Sequence, residues 1–244
     1  MKITPIGIWG GYPKANSATS SFLIEHDGFH CLIDCGSGVI SSLQNYLPLE
    51  KLDAVVISHY HADHIADLGS LQFSRIINFY LGNQAPPLPI YGHMEDQENF
   101  EKLSYQDQTM GIGITEDRVV QIGPFDVSFC RTIHPVYCLA MKFTVGDRSI
   151  ALTADTEWRD ELVDFARGTD LLISEANLYE EHLGKAPGHL AGSEAGKLAK
   201  LAGAKQLVLT HLPLHGNINE ILDAAVAIYD GPAELAEVGK TYKI

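Results

Sequence analysis

The stretch ISHYHADHIADL, residues 57–68, places His59, His61, Asp63 and His64 within six positions, directly after an aliphatic run. Imidazole and carboxylate are ligands for borderline divalent metals such as zinc, and neighbouring residues on one loop lose little entropy in forming a site. A spacing of four would set two imidazoles on one helix face. Here His59 and His61 alternate, with Asp63 and His64 following at once, so the pattern predicts a loop that binds metal.

Such a loop needs a frame. Several short apolar runs end abruptly in a polar residue: CLID at Asp34, AVVISH at His59, ALTAD at Asp155, LLISE at Glu175 and LVLTH at His211. Each reads as a buried strand. If these strands lie in open sheets covered by helices, their carboxyl ends gather on one rim, where such architectures place a site. Convergence of Asp34, His59, Asp155, Glu175 and His211 is the expectation.

Helical patterns lie between the strands in SGVISSLQNYL, DLGSLQFSRIINFYL, EWRDELVDFAR, SEAGKLAKLAG and NEILDAAVAIYD, whose apolar positions recur at three and four. VVQI, FDVSFCRTI and LAMKFTV alternate and predict antiparallel strands in the middle. The halves echo each other, CLID and AVVISH being answered by ALTAD and LVLTH. Two β-rich halves packed face to face with helices outside would explain this. The best linker candidate, GNQAPPLP at residues 82–89, is short and runs straight into another apolar stretch, so one domain over residues 1–244 is preferred.

SHYHADH, taken with His134 in TIHPV, Asp155 in LTADT and His211 in LTHLP, resembles the metallo-β-lactamase superfamily in motif order over nearly the whole chain. The resemblance implies an α/β fold, the four-layer αβ/βα sandwich of two mixed sheets with helices on the outer faces. It implies that His59, His61 and His134 hold one metal ion, that Asp63, His64 and His211 hold a second, and that Asp155 bridges both. Five imidazoles and two carboxylates divided in this way leave room for water, the mark of a catalytic site. Two cations can acidify a bridging water and clamp substrate oxygens. Zinc is the expected metal, with manganese or iron also suited to nitrogen and oxygen ligands.

Asp34, in LIDCGSG, matches the family's first motif, where an aspartate supports the metal loop through hydrogen bonds. Its alternative role is to cap the following helix. Within SEANLYEEHLGKAPGHLAGSEAG, Glu175 and His189 resemble the glutamate and histidine pair of the ribonuclease Z-like phosphodiesterases. His189 would then assist phosphoryl chemistry while Glu175 fixes its tautomer, and Asp63 would help orient the nucleophile. That branch usually follows the histidine with hydroxyl residues, whereas Leu190 and Ala191 stand here. The bland alternative is that His189 caps the helix beginning near Ser193. His215, four residues after His211, and His93 are further candidates for the pocket wall, and the glycine-rich stretch GGYPKANSATSS, residues 10–21, is expected to form one side of the cleft.

Composition bounds the rest. Acidic residues outnumber basic ones 31 to 17, a net charge of −14, which opposes extended nucleic-acid binding but not a small anion held by metal ions. No apolar run reaches the roughly 18 residues of a membrane span, and MKITPIGIWGGYP reads as a first strand and not as a secretory signal. Cys31, Cys35, Cys130 and Cys138 lack CxxC spacing and are expected to be reduced thiols in a cytoplasmic protein.

The function expected is a dinuclear metal-dependent phosphodiesterase for small or cyclic phosphodiesters, working by attack of a metal-bridged hydroxide. The alternatives are a hydrolase of esters, thioesters or lactones, a tRNA 3′ processing endonuclease, or a binding protein without turnover. Only 21 positions separate His134 from Asp155, the interval in which ribonuclease Z carries its tRNA-gripping arm, and VYCLAMKFTVGDRSIALTA fills it with two strands and a turn. The partner expected is therefore a small phosphodiester, with no membrane and no extended nucleic acid. Oligomeric state is left open, homodimers being frequent in the family.

Overall fold

The computed structural model describes residues 1–83 and 85–244. In chain order they form β1 (Lys2–Gly7), β2 (Ser21–His26), β3 (Phe29–Ile33), α1 (Val39–Leu43), β4 (Ala54–Val56), α2 (Ala62–Ile65), α3 (Leu68–Tyr80), β5 (Leu88–His93), α4 (Gln97–Glu101) and β6 (Thr109–Ile114). There follow β7 (Val120–Ile122), β8 (Phe125–Arg131), β9 (Leu139–Val145), β10 (Arg148–Leu152), α5 (Asp160–Phe165), β11 (Leu171–Glu175), α6 (Gly192–Ala202), β12 (Leu207–Thr210), α7 (Asn219–Val226), β13 (Ala233–Leu235) and β14 (Tyr242–Lys243).

The strands make two seven-stranded sheets, ordered β14-β1-β2-β3-β4-β5-β6 and β13-β12-β11-β10-β9-β8-β7. Both are mixed: β3 to β6 and β10 to β13 run parallel, while β1 to β3 and β7 to β10 are antiparallel. This is the α/β sandwich anticipated above.

Side chains alternate across a strand, and the first sheet buries both faces accordingly. Phe22, Ile24, Cys31, Ile33, Ala54 and Val56 join Phe125, Phe143, Ile150 and Leu152 of the second sheet in one core. Leu23, Leu32 and Val55 face the other way, into a second cluster with Val39 and Leu43 of α1 and Leu68 and Leu71 of α3. Neither sheet can slip by one residue without turning an aliphatic set to the wrong side.

Several helices are shorter than their patterns. SGVISSLQNYL yields only Val39–Leu43, entered through Gly38 at φ 79°, and EWRDELVDFAR only Asp160–Phe165. The motif predicted as a loop is partly helical, since Asp63 and His64 lie in the single turn of α2, with His59 and His61 on the extended segment before it. In GNQAPPLP, Gln84 lies outside the described residues, and Leu88 and Pro89 already belong to β5. All four cysteines are free thiols.

Candidate metal centre

The rim where the parallel strands end carries the site. Asp34 follows β3, His59 follows β4 by three residues, Asp155 follows β10 by three, Glu175 ends β11 and His211 follows β12 directly. Three of these turns use a left-handed backbone at a residue other than glycine: Asp34 at φ 58°, Ala154 at 51° and His211 at 53°. Strain of this kind persists only where surrounding contacts over-determine it, and it aims these side chains into the gap between the sheets.

Four groups of ligand atoms result: His189 closes one with His134 and Asp155 and one with Glu175 and His211, and the other two match the sets expected from the sequence. His59, His61 and His134 form one, and Asp63, His64, Asp155 and His211 form the other, with the ligand atoms of each group all within 4.8 Å of one another. His61 Nδ1 lies 3.1 Å from His59 Nε2 and 3.0 Å from His134 Nε2. Asp155 stands between the groups. Its Oδ2 is 3.8 Å from His59, 3.9 Å from His134 and 3.3 Å from His211, and its Oδ1 is 3.6 Å from His64.

The far nitrogens of three of these five imidazoles are already engaged, while His211 Nδ1 has no hydrogen-bond partner among the described residues. His134 Nδ1 donates to the Gly188 carbonyl at 2.9 Å, His64 Nδ1 donates to Asp34 Oδ2 at 2.7 Å, and His59 Nδ1 faces Ser58 Oγ at 3.0 Å and Cys138 Sγ at 3.5 Å. With those tautomers, Nε2 of His59, His64 and His134 each turns a lone pair inward. Buried His64 Nε2 has no hydrogen-bond partner among the described residues. Lone pairs converging at about 3 Å repel unless a cation lies among them, so the donor set fits metal ions.

Protonation points the same way. Burial pushes His59, His61 and His134 below the ordinary imidazole range, leaving them neutral. Burial works against charge on Asp63 and Asp155, yet the histidines facing them, His211 and His64 above all, hold both well below the usual carboxylate range. His64 is the exception, drawn up against its burial by Asp155 and Asp34, so ligation at its Nε2 displaces a proton. Neutral imidazoles and ionised carboxylates are the forms that ligate metal.

Asp34 accepts from Ser58 N at 2.8 Å, from Ser58 Oγ at 2.9 Å and from His64. Its carboxylate is spent on the metal loop, and the residue before α1 is Gly38, so Asp34 does not cap that helix. Nor does His189 cap α6, which starts after Ala191 with the Glu194 carboxylate on the Ala191 amide. His189 Nδ1 instead meets Glu175 Oε1 at 3.0 Å. Glu175 is buried, and its two oxygens also accept from the amides of Thr156 at 2.8 Å and Asn177 at 3.2 Å. Burial opposes charge on His189, but Glu175, with Asp155 and Asp63 beyond, pushes it up to about 9.

The site opens into a cleft of about 370 Å³ whose wall includes Gly10, Gly11 and Tyr12, as expected of the glycine-rich stretch. Gly11 N donates to Asp63 Oδ2 at 2.8 Å, and Gly10 packs so close to His211 that a Cβ there would lie 2.7 Å from its Nδ1. His215 lines the cleft, whereas His93 is buried away from it between Tyr60 and Tyr137, at ring distances of 4.4 and 4.8 Å. Sequence reasoning passed over Ser58 and Asn177, and read Cys138 only as a reduced thiol. Only Ser58, adjacent to the first histidine, carried a local signal.

Fold and site together define a metal-dependent hydrolase of the metallo-β-lactamase type. The chain belongs to the β-lactamase superfamily, whose domain model matches residues 30–212. It is similar to the probable metallo-hydrolase YhfI of Bacillus subtilis, 46% identical over 98% of both chains, and superposes on the crystal structure of YhfI with a TM-score of 0.97 at 45% identity, covering 99% of this chain and 98% of that one. Ribonuclease Z of Haloarcula marismortui is 24% identical over 100% of this chain and 97% of its own. A diphosphatase of the PhnP family shares the fold, with a TM-score of 0.80 at 19% identity, covering 100% of this chain and 97% of that one. Among the described residues no helix is long and apolar enough to cross a membrane.

Proposed function

We propose that this chain is a phosphodiesterase with two metal ions, zinc in the first instance, acting on small or cyclic phosphodiesters. His59, His61 and His134 would hold one ion, Asp63, His64 and His211 the other, with Asp155 shared. Bound there, divalent cations supply charge against the phosphoryl oxygens and make water acidic enough to attack at neutral pH.

The observation that carries the reading is the pair His189 and Glu175, whose Nδ1 to Oε1 distance is 3.0 Å beside the ligand groups. With Nδ1 held by a buried carboxylate, Nε2 is the nitrogen that serves substrate. Protonated His189 gives its proton to the departing ester oxygen, and Glu175 holds the ring and balances the charge. Asp63, tied down by Gly11 N and facing His211, orients the nucleophile.

Size and charge support a small substrate. The interval from His134 to Asp155 is taken up by β9 and β10, paired through a tight turn at Gly146. The alignment with the Haloarcula ribonuclease Z runs over 301 positions against 244 residues here, so that relative carries added segments. A net charge of −14 opposes association with a tRNA-sized polyanion.

The test is a competition at defined metal content among a cyclic nucleotide, an aryl phosphodiester, a precursor tRNA and an acyl lactone. Cleavage of the small diesters with survival of the tRNA is expected. Site-specific cutting at the tRNA 3′ side, or hydrolysis of the lactone alone, overturns the reading.

A further inference from the structure

His189 and Pro187 belong to two hollows. One is the cleft over the ligand residues. The other, about 340 Å³, lies on their far side and is lined by Trp158, Leu183, Lys185, Glu157 and Glu194. Nothing in the chemistry described so far uses it.

A linear phosphodiester has two ester arms, and at the site they must diverge. The phosphorus lies over the ligand residues, and His189 serves the oxygen that leaves. The group carried on that oxygen therefore extends past His189, and beyond His189 and Pro187 lies the second hollow. The arm that stays on phosphorus keeps to the first cleft, along Tyr12 and Leu214.

The lining is built to receive a flat ring. Trp158 is held in place, its indole N–H donating to Asp160 Oδ1 at 2.9 Å and Lys197 Nζ lying 4.0 Å from the ring centroid. Leu183, also in the lining, is 39% exposed and offers apolar surface to what enters the hollow. Glu157 accepts from Gly188 N at 2.8 Å and Glu194 from Ala191 N at 3.1 Å, each through one oxygen. Their second oxygens have no hydrogen-bond partner among the described residues and, with the Lys185 ammonium, offer acceptors and a donor to the edge of a heterocycle.

We propose that this hollow is the leaving-group subsite and that it takes a planar, edge-polar ring of the nucleobase class carried on the departing alcohol. The assignment rests on the phosphodiesterase reading and goes beyond it, since it states which side of His189 sets selectivity and with which residues. Stacking on an aromatic side chain is tolerant of ring identity, so the subsite reads the presence of a base more than its sequence.

The experiment compares the methyl phosphodiester of a nucleoside 5′-hydroxyl with that of the base-free methyl riboside 5-hydroxyl, linear substrates that share the reacting ester and differ in the ring, with the departing alcohol identified from the products. The wild-type protein is expected to prefer the base-bearing substrate by roughly 10-fold or more in kcat/KM, the scale of one stacked ring. Trp158→Ala and, separately, Leu183→Ala should collapse that ratio toward one, chiefly by raising KM for the base-bearing substrate. Leu183 lies on an exposed loop, so its variant keeps the test decisive if replacing Trp158 harms folding. Equal use of both substrates by wild type, or a ratio that survives both substitutions, overturns the assignment and moves the ring to the Tyr12 side. Failure to hydrolyse either diester while a lactone is opened overturns the phosphodiesterase reading itself, and the subsite with it.

Discussion

His189 Nδ1 and Glu175 Oε1 stand 3.0 Å apart, joining a half-buried imidazole at the cleft to a carboxylate that is 1% exposed. Glu175 cannot turn away, because its oxygens are also bonded to the amides of Thr156 and Asn177. Replacing His189 by alanine should therefore leave metal content unchanged and slow diester turnover by roughly 10²-fold or more, the usual scale for a general acid. The loss should be largest for poor leaving groups, and full retained activity on those would remove His189 from the reaction.

The same pair sets a pH limit. His189 acts while protonated, below its pKa of about 9, so activity should fall as pH rises through that value. Bound cations nearby can only lower the limb, placing it at or below about 9. Glu175→Gln removes the carboxylate that raises the imidazole, and the alkaline limb should move to lower pH. A pH–rate profile on one diester, wild type against variant, measures this, and an unmoved limb dissociates the pair from the reaction.

Metal content is the direct check on the ligand groups. Two equivalents per chain are expected by elemental analysis after loading, with Asp155→Ala reducing both because its oxygens face ligands of each group. Ligation stabilises the folded chain by about 2.7 kcal/mol when free metal is 100 times its dissociation constant. Chelation should then lower Tm by roughly 5–10 °C at this chain length. A protein that saturates at one equivalent excludes the two-ion arrangement.

Asp34→Asn tests the support of the loop. Asparagine tolerates the left-handed backbone at φ 58°, so the change isolates the lost charge behind His64 and Ser58. Metal affinity should drop by about 10- to 100-fold, as for other residues that hold a metal-binding histidine. Isothermal titration with zinc reads it, and wild-type affinity in the variant would return Asp34 to a merely local role.

Gly10 and Gly11 make a paired test of the cleft wall. An added Cβ at Gly10 would lie 2.4 Å from Asn177 Nδ2 and 2.7 Å from His211 Nδ1, whereas at Gly11 it meets nothing within 4 Å. Gly10→Ala should displace His211 and cost roughly 10-fold or more in turnover, since misplacement by about 1 Å at a reacting centre has effects of up to 10²-fold. Gly11→Ala meets only the penalty of its φ of 74°, about 1 kcal/mol of stability. Equal activity losses in the two variants would refute the packing argument.

His59, His61, Asp63 and His64 are legible in the sequence because local spacing alone marks them, and the abrupt polar ends of CLID, ALTAD, LLISE and LVLTH mark the rim because a buried strand cannot hide a charge. Those signals, with the order of His134, Asp155 and His211, are properties of the chain, and they carried the fold class. Ranges of helix were less legible, as in SGVISSLQNYL, because burial against the first sheet selects Val39, Ile40 and Leu43 and leaves the remainder to turns. What only the tertiary structure decided is how distant segments meet. The turn of Gly188 onto His134, the placing of Cys138 behind His59, the burial of His93 and the opening of a second hollow beyond His189 depend on packing between residues far apart in sequence. No period or spacing encodes those distances; they follow from two sheets closing on a shared core, whose geometry exists only once both have formed.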